Sequence, residues 1–128
     1  MANYEQVKDN SQRLQEVLEE LIIHNADILS AIVVSDDGLK VASGIPHGDD
    51  DATALAASDV VDMAEQFNDR LEHGTLNRIM LEGEQRTTMI VRASKRTILA
   101  VSTPADAKLG LIILSMRRAA DQIATIFE

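Results

Sequence analysis

The stretch "ILSAIVVSDDGLKVAS", residues 28–43, sets the architecture. Its first half is a nearly continuous run of β-branched and aliphatic residues, too short and too β-branched for a surface helix, so it reads as a strand over 28–35. A strand exposed on one face alternates apolar and polar residues, and this one does not. Both of its faces must be covered, which requires a sheet with helices on each side. Asp36-Asp37-Gly38 is a hairpin turn, and residues 39–44 form the returning strand. The loop that follows, Gly44-Ile45-Pro46-His47-Gly48, ends the hairpin.

Outward from this hairpin, Val7, Leu14, Val17, Leu18, Leu21 and Ile22 recur at helical spacing and predict a first helix ending near residues 24–27. Downstream, "DATALAASDVVDMAEQF" (51–67) predicts a second helix over about 51–71. One of Asp49, Asp50 and Asp51 is expected to cap it while the others favour the positive end of its dipole. Residues 76–83, 86–94 and 96–103 read as three strands joined by Gly83-Glu84 and Ser94-Lys95, a meander closed by Pro104. In the last helix Leu109, Ile112, Ile113, Met116, Ala120, Ile123 and Phe127 share a stripe opposite Arg117 and Arg118, and Asp106 is expected to cap its start. The expected fold is α/β (α+β), in the order α-β-β-α-β-β-β-α. It has a five-stranded antiparallel sheet with one helix on one face and two on the other. A chain of 128 residues makes this a single domain, with its core at about 10–127 and an N-terminal helical extension at 1–24.

Composition narrows the function. A net charge of −9 repels nucleic acid, and Tyr4, Phe67 and Phe127 are the only aromatic residues available for stacking on bases. Without cysteine there is no disulfide, thiolate nucleophile or cysteine-bound metal. The polar start "MANYEQVKDNSQRLQEVLEELI" does not read as a signal peptide, and no apolar run reaches membrane-spanning length, so a cytoplasmic protein without membrane insertion is expected.

Candidate chemistry is sparse. Three adjacent aspartates point in different directions, whereas hard cations need converging ligands. His24, His47 and His73 have no second histidine at ligand spacing, so no metal is expected. No G-x-S-x-G elbow, S-x-x-K pair or phosphate loop occurs. The chain is expected to be no enzyme and to bind no cofactor.

The second helix carries more apolar surface than a sheet needs. At about 100° per residue, Ala52, Ala56, Val60, Met63, Phe67 and Leu71 form one stripe. Ala54, Ala57, Val61 and Ala64 extend it sideways beyond half the circumference. The small-residue flank permits close approach of another helix, and the one expected is its own copy in a two-fold dimer. The third strand, with Ile79, Met80 and Leu81 at a sheet edge, is expected to pair with its copy as well.

In their order and spacing, "IVVSDDGLKVAS" (32–43), "ALAASDVVDMAEQF" (54–67), "IMLEGEQRTTMIVR" (79–92) and "DAKLGLIILSMRRAADQIATIF" (106–127) resemble the roadblock, or dynein-light-chain-roadblock, superfamily. The longer N-terminus is closer to its stand-alone prokaryotic members. The resemblance implies a non-enzymatic dimer paired through the second helix and third strand into a ten-stranded sheet, serving as a platform for Ras-like small GTPases. Some prokaryotic members accelerate hydrolysis or exchange by shifting the GTPase's own switch residues. Carried onto this chain, the dimer contacts would be Ala54, Ala57, Ser58, Val61 and Ala64, with Leu76, Arg78, Ile79, Met80 and Leu81. Asp59, Asp62, Glu65 and Gln66 would face the GTPase. A purely structural light-chain-like adaptor, indifferent to nucleotide state, is the alternative.

Overall fold

The computed structural model describes residues 9–127. Val7 and Tyr4 lie outside the described residues. The elements are α1 (Asn10–Ile23), β1 (Ser30–Ser35), β2 (Lys40–Ser43), α2 (Asp50–Arg70), β3 (Ile79–Glu82), β4 (Arg86–Ser94), β5 (Thr97–Pro104) and α3 (Leu109–Phe127). The strands form one antiparallel sheet in the order β2-β1-β5-β4-β3, so the meander and the first hairpin are both present.

β1 is buried on both faces, as its apolar run requires. Ala31 and Val33 enter one core layer with Leu14, Leu18 and Leu21 of α1, Met89 and Leu99 of the sheet, and Ile112, Met116 and Ile123 of α3. Ile32 and Val34 enter the other with Ala54, Ala57 and Val61 of α2 and Ile90, Ile98 and Ala100 of the sheet. Among the helices, α2 therefore covers its face alone. It links β2 at one edge to β3 at the opposite edge. Its 21 residues span roughly 32 Å, against about 19 Å across five strands, so one helix can bridge the sheet.

The two edges differ. Between β1 and β2 the register slips from Val33↔Ala42 to Val34↔Lys40, leaving a bulge at Val41 in edge strand β2. β3 pairs with β4 without a slip.

The structure corrects four sequence expectations. The stripes of α2 are exchanged. Ala54, Ala57, Ser58 and Val61 meet the chain's own sheet, whereas Ala52, Ala56, Met63, Phe67 and Leu71 are exposed. Small side chains let the helix lie close to the sheet, and the bulky ones are displayed outward. Asp49 occupies the N-cap position of α2, but its near-helical backbone gives no side-chain capping bond. Asp50 instead turns back to accept from the His47 backbone N–H at 3.1 Å. Asp106 lies in the turn closed by the Ala107 N–H on the Pro104 carbonyl, too far ahead of Leu109 to cap α3. The third strand begins only at Ile79, because Leu76, Asn77 and Arg78 line a small cleft with Val61 and Glu65 between helix and sheet.

Candidate interaction surface

An open groove of about 680 Å³ runs along the outer side of α2 to the β3 edge. Val60, Met63, Ala64 and Phe67 form its helical wall, Ile79 and Leu81 its strand wall, and Asp59, Gln66 and Arg70 its polar margin. Met63 is 71% and Phe67 63% exposed, large values for side chains of that size in a single folded chain. Alternation along β3 places Ile79 and Leu81 on the α2 side, while Met80 packs on the α1–α3 core layer.

The residues singled out from the sequence therefore divide. Ala64, Ile79 and Leu81 reach the groove. Ala54, Ala57, Ser58 and Val61 are spent within the chain, and the Ser58 hydroxyl donates to the Asp36 carbonyl at 3.2 Å. Met80 serves the opposite core layer, and Arg78 lies with Asn77 beside Arg117 and Asp121 of α3. Asp59 and Gln66 border the groove, and Asp62 is exposed on the outer ridge of α2. Val60, Met63, Phe67 and Arg70 were not assigned to the interface from the sequence. Periodicity reveals two apolar stripes but not which one meets the sheet. The signal that separates them is side-chain size.

Glu65 has a different occupation. Its carboxylate accepts two hydrogen bonds from Arg92 of β4, at 2.8 and 3.1 Å. Arg92 Nη1 also donates to Asp36 Oδ1 at 3.1 Å and to the Lys95 carbonyl at 3.2 Å. Hydrogen bonding to Glu65 raises the guanidinium pKa above its ordinary value; burial opposes this and Asp36 adds to it. Arg92 is thus a fixed cation tying α2 to the β1–β2 turn and the β4–β5 turn. The cluster is partly exposed, so its contribution to stability is small, about 1 kcal/mol.

Two of the three histidines have structural uses, and the third, His73, is exposed in the turn after α2. His24 Nδ1 lies 2.8 Å from the Glu20 carbonyl at the end of α1, and His47 Nε2 lies 3.1 Å from the Leu29 carbonyl before β1. Among the described residues no three His, Cys, Asp or Glu side chains gather as a metal site, and no helix is long and apolar enough to cross a membrane.

The family model described as "Roadblock/LC7 domain" matches residues 14–103. Two proteins of Methanocaldococcus jannaschii named as uncharacterized, MJ0310 and MJ1340, are 40% and 39% identical to this chain over 101 residues. Each match covers 78% of this chain and 88% of the relative. Among solved structures, the gliding protein MglB of Thermus thermophilus superposes with a TM-score of 0.83 at 19% identity, covering 93% of this chain and 91% of that one. MglB of Myxococcus xanthus gives 0.80 at 18% identity, covering 99% and 94%. The element order and the five-stranded antiparallel sheet are those of these neighbours.

Proposed function

The chain belongs to the Roadblock/LC7 domain family, and from that premise we propose that it is a non-enzymatic homodimer that binds and regulates, or scaffolds, a Ras-like small GTPase. One observation carries the reading: the exposed apolar stripe of α2 runs directly into Leu81 on the free edge of the sheet. Met63, Phe67, Leu71 and Leu81 would each contribute roughly 1.5–3 kcal/mol on full burial. Because only 71%, 63%, 49% and 48% of these side chains remain to be buried, the four from each copy together supply roughly 7–14 kcal/mol, of the order of an association cost of about 4–15 kcal/mol.

The stripe is also complementary to itself. In an antiparallel pair with its two-fold axis between Val60 and Met63, Val60 meets the partner's Met63, Ala56 meets the partner's Phe67, and Ala52 meets the partner's Leu71. Small faces large in each outer layer, and the two-fold repeats each contact. Pairing of β3 with its copy would satisfy the free edge at the same time.

The GTPase reading is supported by family membership and by the acidic outer ridge of α2, where Asp59, Asp62 and Gln66 are exposed. Glu65 is excluded from that surface because Arg92 holds it. Arg92 is likewise held within the chain. It is family resemblance that supports a dimer donating no catalytic arginine and acting by shifting the GTPase's own switch residues.

Light scattering tests the pairing. Met63→Asp combined with Phe67→Asp should reduce the mass from twice 14.0 kDa to 14.0 kDa while the thermal transition of the fold persists. A mutant that stays dimeric removes the groove from the interface. Binding to a purified GTPase in its GDP and GTP-analogue states, with single-turnover hydrolysis, tests the partner. Equal affinity in both states with unchanged hydrolysis would leave a structural adaptor.

A further inference from the structure

The β1–β2 turn and the outer ridge of α2 display a second apolar feature, beside the groove and meeting it at Asp59. Leu39 is 65% and Leu55 is 55% exposed. Leu55 lies over Gly38, where an added Cβ would stand 2.9 Å from its Cδ1 and 3.4 Å from its Cα. The turn is held to the helix by the Ser58 hydroxyl on the Asp36 carbonyl and by Arg92, which bridges Asp36 and Glu65. The two leucines are therefore mounted on a fixed support and need little ordering on binding, a condition that favours affinity.

Their surroundings select the occupant. Asp51, Asp59 and Asp62 stand four residues before, four after and seven after Leu55, which places them on the same ridge of α2. Asp37 adjoins Leu39 in the turn, and these four carboxylates are exposed. Of the nearby cations, Arg92 is paired with Glu65 and Asp36, and Lys40 with Asp50 at 3.9 Å, while Lys95 and Arg96 belong to the adjoining β4–β5 turn rather than to the α2 ridge. A second copy meeting this patch with its own acidic ridge would set carboxylate against carboxylate and is disfavoured here, unlike in the groove, whose walls are apolar.

We propose that Leu39 and Leu55, rimmed by Asp37, Asp51, Asp59 and Asp62, form a docking surface for a partner protein that presents an apolar pocket edged with lysine or arginine. The leucines supply the buried anchor, and the carboxylates supply orientation and encounter rate. The assignment rests on the reading above, in which a second copy fills the groove and the partner is a small GTPase. It adds the β1–β2 turn to the partner's footprint.

The experiment uses the full chain and a purified Ras-like small GTPase from the same organism, loaded with GDP or a non-hydrolysable GTP analogue. Leu39→Ser combined with Leu55→Ser should weaken binding by tenfold or more while light scattering still reports the dimer. Asp51→Asn with Asp62→Asn should slow association several-fold and flatten its dependence on salt. Wild-type affinity in the leucine variant overturns the assignment alone. A monomeric leucine variant also overturns it, by placing the patch in self-association. No binding by the wild-type chain in either nucleotide state overturns the GTPase reading together with this surface.

Discussion

The two faces of the sheet are covered by different means. On one, α1 and α3 pack side by side and fill the layer with Leu14, Leu18, Met89, Leu99, Met116 and Ile123, all essentially inaccessible. On the other, α2 lies alone and touches the sheet through two alanines, a serine and a valine. The first layer is self-sufficient because two helices shield each other's flanks. The second is thin, and a single helix has an outer side that nothing among the described residues covers. Bulky residues on that outer side carry the proposed pairing, whereas the same residues on the inner side of α1 or α3 would signify core. Hydrophobicity is equal in the two cases, and only the neighbours distinguish them.

Breaking the inner side of α2 should have the largest effect. Val61→Asp leaves an unpaired carboxylate between helix and sheet and should cost about 3–5 kcal/mol, seen as a lower midpoint in urea denaturation. The contrast with the Met63 and Phe67 variants is sharp, since those should lose the partner copy and keep the fold. If Val61→Asp left stability intact and abolished dimers instead, the Val61 side of α2 would face the partner copy rather than the sheet.

Arg92→Ala should have an intermediate effect. It releases Glu65 and Asp36 together and should cost about 1 kcal/mol, because the side chains are partly solvated. A double-mutant cycle with Glu65→Ala would show coupling of that order.

The smallest difference lies at the start of α2. Asp50→Ala removes the acceptor of the His47 N–H and should cost about 1 kcal/mol, whereas Asp49→Ala should fall within about 0.5 kcal/mol of the native protein. Paired thermal melts would settle which aspartate organises the helix.

All eight elements and their order can be read from the sequence, because each rests on a local signal. β1 is a continuous apolar run, the turn at Gly38 requires the positive φ of 79° that glycine tolerates, and α3 carries one unbroken stripe. The site was less legible, for a geometric reason. An apolar arc wider than half of α2 contains two stripes, and periodicity records that both exist without saying which direction the sheet lies. Met63 and Phe67 lie in the main apolar stripe and Ala54 and Ala57 in its small-residue flank; the close helix–sheet approach reserves the core for Ala54 and Ala57. Glu65 looked like a free surface acid because its partner, Arg92, is 27 residues distant in sequence. The helix caps failed more locally: which of three neighbouring aspartates bonds to the backbone depends on φ and ψ angles that composition does not encode.

The bulge at Val41 has a consequence for growth. Strand addition needs a flat row of free backbone groups, and β3 provides one while the bulged β2 edge, carrying Lys40, does not. In the proposed pair the two β3 edges consume each other and both outer rims become β2. The proposed sheet then terminates at two copies instead of growing into a fibre.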